Sequence, residues 1–124
     1  MSYIEELLEY LNENAQLTAI LGSKVMPLVL AEGEIFPCIL YYYSRETPEY
    51  CQGGVGMLDS NLHFYILSKR YAQVEEISNI LKEALTTYKT DKVLGVEYVS
   101  LSSEDYLSEA KVFQRIYEFR FFIQ

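Results

Sequence analysis

The stretch LHFYILSKRYAQVEEISNILKEAL, residues 62–85, changes its period half-way along. Up to Leu67 it alternates, with Leu62, Phe64 and Ile66 on one side and His63, Tyr65 and Leu67 on the other, the period of a strand. From Tyr71 the apolar positions are Val74, Ile77, Leu81 and Leu85, followed by Tyr88. That is the spacing of one helical face, with Glu75, Glu76, Lys82 and Glu83 pointing outward. A strand that feeds directly into a long amphipathic helix predicts a sheet packed by helices.

Upstream, CILYYYS (38–44) is also a strand, with Cys38, Leu40 and Tyr42 alternating with Ile39, Tyr41 and Tyr43. Both strands are apolar on both sides, so both faces need cover: a helix can supply one, and a second subunit is a candidate for the other. Between them RETPEYCQGGVGMLD (45–59) carries Pro48, Gly53, Gly54 and Gly56 and reads as a long, pliable hairpin loop. KVMPLVLAEGEIFP (24–37) reads as an extended segment that Pro27 places at an edge. The N-terminus opens with Ser2 and Glu5 at capping-box spacing, then an apolar stripe of Ile4, Leu7, Leu8 and Leu11. A short second helix is expected over Ala15–Leu21, with Asn14 as its cap and Gly22 as its stop.

Downstream, VLGVEYVSLS (93–102) reads as a fourth strand and SEDYLSEAK (103–111) as a polar loop. The closing VFQRIYEFRFFIQ alternates Phe113, Tyr117, Phe119, Phe121 and Ile123 with polar residues, and Arg115 is the misfit in its apolar row. About twelve residues is roughly twice a usual strand, so it either bends or pairs at one end outside its own domain. The expected fold is one α+β domain over residues 1–124, in the order helix-β-β-β-helix-β-β. An antiparallel sheet of about five strands is packed by the N-terminal and central helices.

The chain has 124 residues, half of them hydrophobic and 15% aromatic, so an ordered core is expected. A net charge of -8 argues against a generic polyanion binder. No apolar run is long enough to span a bilayer as a helix, so no membrane partner is expected. The acidic start MSYIEELLEY is unlike the basic start of a secretory signal, and two cysteines do not make a disulfide scaffold. Synthesis in a cytoplasm is the expectation.

Candidate chemistry is sparse. Cys38, Cys51 and His63 are the soft metal ligands, but they lack the close cysteine pair of a zinc module and are one ligand short. His63 has no nucleophile motif near it in sequence, QGGVG lacks the ending of a phosphate loop, and no dinucleotide fingerprint is present. No catalytic, cofactor or metal residues are therefore assigned, and an enzyme is not expected. The twelve tyrosines offer contact area with a polar tip, which suits protein interfaces. The candidate interface comprises Tyr41, Tyr43, Glu49, Tyr50, Gly53 and Gly54, on or beside the loop.

The run LTAILGSKVMPLVLAEGEIFPCILYYY resembles the opening of tailed-phage tail terminator proteins, also called tail completion proteins. LHFYILSKRYAQVEEISNILKEAL resembles their central strand–turn–helix, and RIYEFRFFI their closing aromatic strand. Together these cover residues 4–123, with the triple tyrosine as a departure from the pattern. The resemblance implies a non-enzymatic virion component made in a bacterial host. It also implies a homo-hexameric ring formed on assembly at the tail tube by a chain that can be a monomer in solution. Its implied partners are the tail-tube protein and the head connector, with DNA passing through without specific binding. Two other readings stand beside it: a small dimeric regulatory or ligand-binding α+β module, and a hydrolase that uses His63.

Overall fold

A computed structural model describes residues 3–22, 25–27, 36–51 and 54–123; at 27, 43–51 and 54–58 the description covers the backbone alone. The elements are α1 (Tyr3–Asn12), α2 (Ala15–Leu21), β1 (Val25–Pro27), β2 (Cys38–Cys51), β3 (Gly54–Ser68), α3 (Tyr71–Thr86), β4 (Val93–Leu107) and β5 (Val112–Ile123). One five-stranded sheet runs β1-β2-β3-β5-β4. The expected α+β order is present. The sheet is mixed, however: β1 pairs parallel with β2, while the other three pairings are antiparallel. Pro27 is indeed on an edge strand, where a missing N–H is tolerated.

α1 buries Tyr3, Ile4, Leu7 and Leu11, with Leu8 half-buried beside them. Ser2 of the expected capping box is outside the described residues. α2 has the bounds its sequence predicts. The Asn14 side chain accepts from the N–H groups of Gln16 and Leu17 at 3.0 and 3.1 Å, and Gly22 ends the helix at φ 64°. Only glycine holds that left-handed turn without steric cost. Asn14→Ala removes the acceptor and should cost about 1 kcal/mol, read as a lower urea midpoint at unchanged slope.

The helices lie on one face of the sheet. Ile39, Tyr41, Leu62, Phe64, Ile66, Tyr117, Phe119 and Phe121 form the core with Leu7, Leu11, Leu17, Val74, Ile77, Leu81 and Leu85. The Tyr3 and Ser60 hydroxyls share a buried hydrogen bond that fixes α1 on β3. Asn12 exchanges two bonds with the backbone of Val25, tying the end of α1 to the short edge strand. A smaller cluster of Cys38, Leu40, Leu67 and Val112 forms separately from this core, packed with Met26, Phe36, Tyr65, Leu107 and Ala110.

Three segments differ from the sequence expectation. The 45–59 segment is mostly strand: β2 and β3 stay paired out to Cys51↔Gly54. The polar run 103–107 belongs to β4. β5 is twelve residues long, yet it pairs along its length with β3 on one side and β4 on the other, so neither end leaves the sheet. Residues 28–35 of the expected extended segment are outside the described residues.

Candidate interaction surfaces

Among the described residues, β2 and β3 run past their neighbours: β1 pairs as far as Tyr41, and β5 as far as Leu58, which lies opposite Pro48. Beyond that point Glu49↔Met57, Tyr50↔Val55 and Cys51↔Gly54 form a two-stranded ribbon, with a register shift at Glu49/Tyr50. Two strands alone are marginal in water, so such a projection gains most when it meets a partner. Among the sequence-derived candidates, Glu49, Tyr50 and Gly54 have their backbone in this ribbon and Tyr43 lies in β2 before it. The side chains of Tyr43, Glu49 and Tyr50, and all of Gly53, are outside the described residues. Tyr41 is placed elsewhere: only 9% exposed, it packs in the helix-side core.

The opposite edge of the sheet is β4, fifteen residues long with three register shifts against β5. Bulges and charges are the usual way to blunt such an edge. Tyr98, Leu101 and Tyr106 share the helix-side face but remain exposed. Lys82, expected to point outward, instead lies over the Tyr98 and Tyr117 rings at 5.4 and 5.0 Å from their centroids. Its apolar stem covers part of this surface.

Arg115, the misfit of the last strand, anchors β4 to α3. It is 6% exposed. Its guanidinium donates to Glu104 at 3.0 and 3.2 Å, to the Tyr117 hydroxyl at 3.1 Å and to the Tyr71 hydroxyl at 2.9 Å; Glu75 lies 2.6 Å away. Burial alone would lower its pKa, but the bonds to Tyr117, Glu75 and Glu104 outweigh that and hold it above the usual arginine value. Hydrogen bonds from Tyr71 and then Arg115 keep the Glu104 carboxyl below the ordinary glutamate range. A depressed carboxylate stabilises the fold above its unfolded pKa and loses that contribution as pH falls through its folded value. Glu104→Gln should therefore flatten the acid limb below about pH 4.5, measured as urea midpoint against pH.

Among the described residues no helix covers the other face of the sheet. Tyr42 stacks on His63 at 5.0 Å, His63 Nε2 is 3.9 Å from Glu118, and Asn61 donates to Glu118 at 2.6 Å. Burial, then a bond with Tyr42, pushes the Tyr65 hydroxyl up. Asp59 Oδ1, His63 Nδ1 and Arg120 Nε on this face are buried without a hydrogen-bond partner. Among the described residues no group of three His, Cys, Asp or Glu side chains could hold a metal, and no Ser, Thr or Cys bonds to His63. On this face the described residues bring no nucleophile to His63, and three polar atoms are left without a hydrogen-bond partner.

This fold also occurs in a virion. A chain in the solved structure of the virion of a native gene transfer agent particle superimposes with a TM-score of 0.70 at 14% sequence identity. The match covers 93% of this chain and 89% of that one. At that identity the likeness shows a shared fold, nearly end to end. No family model and no curated protein matches the sequence.

The strand expected over 93–102 is present as the first part of β4, whereas the ribbon and the 103–107 extension of β4 carry weak local signals. Pro48 and the glycines masked the first, and the polar run Ser102–Asp105 masked the second. The alternation of 103–107 was the available signal: Ser103, Asp105 and Leu107 share one side, Glu104 and Tyr106 the other.

Proposed function

We propose that this chain is a structural component of a phage-like virion, the ring that closes the tail tube and joins it to the head connector. The observation that carries the reading is the near-complete structural match to a chain of a gene transfer agent virion. Sequence resemblance to tail terminators over residues 4–123 supports the finer assignment. The geometry suits a protein that works by docking and catalyses nothing. Among the described residues it has a two-stranded ribbon, a long edge strand and a sheet face with no helix over it and with unmet polar groups.

In this account six copies close into a ring through a contact that repeats head to tail. One side of the ring meets the last layer of tube protein, and the other presents nothing on which the tube can grow. The -8 charge of each copy gives the ring an acidic character, so DNA passes without adhering. The ribbon from Glu49 to Met57 is the element that engages a neighbour or the tube.

Particles assembled without this chain test the reading. Their tails should lack heads and their tubes should run beyond normal length, with both defects reversed by supplying the chain. Tails of normal length that join heads without it would refute the assignment.

A further inference from the structure

A groove of about 420 Å³ runs between α1 and the turn that links α3 to β4. Four carboxylates line it, those of Glu6, Glu9, Glu13 and Asp91, against the single ammonium of Lys92. Lys92 reaches Glu6 at 3.5 Å, and among the described residues Glu9, Glu13 and Asp91 show no ion pair. The aromatic wall is Tyr10 and Tyr88, whose ring centroids are 4.6 Å apart.

The wall also holds an unmet acceptor. Tyr88 is 5% exposed, and its hydroxyl is buried with no hydrogen-bond partner. Thr90 beside it accepts from the N–H groups of Lys92 and Val93 at 3.2 and 3.0 Å. Burial and then the Glu6 charge push the Tyr88 phenol up, with Thr90 pulling the other way, so it stays a neutral donor and acceptor. Excess negative charge, aromatic faces and an unpaired hydroxyl together suit a guanidinium or ammonium group.

The chain supplies that group itself. Lys69 and Arg70 are the only adjacent basic pair in the sequence, and both are exposed. They precede α3, whereas the groove lies just past its end. Sixteen helical residues put the two about 24 Å apart. A basic corner at one end of a rod and an acidic socket at the other cannot meet within one copy. Between copies they repeat head to tail, the arrangement that closes rings.

We infer that this groove is the socket for Arg70, with Lys69 beside it, of the next copy in the assembled ring. The inference rests on the ring reading above and names the contact that closes it.

Charge reversal tests it by sedimentation velocity of the full chain with its cognate tube protein. Glu9, Glu13, Lys69 and Arg70 are all exposed, so the variants should fold, which a thermal melt checks. Glu9→Lys with Glu13→Lys, or Lys69→Glu with Arg70→Glu, should weaken ring assembly tenfold or more. All four changes in one chain should restore it, and added salt should weaken the wild-type ring. Rings at wild-type level from either reversed pair would overturn the socket while leaving the ring reading intact, as would failure of the fourfold variant to recover. A wild-type chain that forms no ring at all would bring down both.

Discussion

Phe119→Ala should cost about 3–5 kcal/mol, the largest single effect expected in this fold. Phe119 is fully buried at the middle of β5. It meets Phe64 edge-on at 5.7 Å, Tyr98 at 5.5 Å and Tyr117 at 6.5 Å. Truncation removes the transfer free energy of a whole ring and opens a cavity beneath α3 that a strand paired on both sides cannot close. Native domains hold only about 5–15 kcal/mol in total, so the loss is a large share. The melting temperature should fall by on the order of 10–20 °C. Phe119→Leu keeps most of the volume and should lose less than about 1.5 kcal/mol. An alanine variant as stable as wild type would mean that Phe119 is not packed in the core between β3, β4 and α3.

Arg115→Ala comes next, at about 2–4 kcal/mol. Most of the cost is the Tyr117 hydroxyl, which is left buried without its donor, together with the lost packing of the arginine stem. Glu75 and Glu104 contribute less, because their side chains are 52% and 40% exposed and return to water when released. Arg115→Met refills the space and should recover part of the loss. Since Arg115 is the charged tie between α3 and β4, its removal should also raise hydrogen exchange along Val93–Leu107 before the rest of the sheet. Urea titration gives the first quantity and exchange mass spectrometry the second.

Much of this architecture is readable from local pattern. The period change at residues 68–71 marks the passage from β3 to α3, and Asn14 and Gly22 bracket α2 because capping chemistry is local. Arg115 stood out as the wrong residue in an apolar row. What it pairs with did not, since Glu75 and Glu104 come from a helix and another strand. The parallel pairing of β1 is hidden in the same way: three residues carry no sign of strand direction. Pro48 and the nearby glycines read as a loop because those residues usually break strands. Beyond Tyr41, though, β2 has no outer neighbour among the described strands, and an edge tolerates proline. Alternation splits Tyr41 from Tyr42 but cannot say which side the helices take. Tyr41 went into the core and Tyr42 onto the open face with His63. The groove lay further from view, because residues 6–13 and 88–92 meet only in the folded chain.

Electron microscopy of tail-tube ends tests the central claim most directly. Polymerised cognate tube protein mixed with this chain should show one end of each tube capped by a six-fold ring, and capped ends should stop growing. Tube ends that stay bare and keep elongating at saturating amounts of the chain would contradict it.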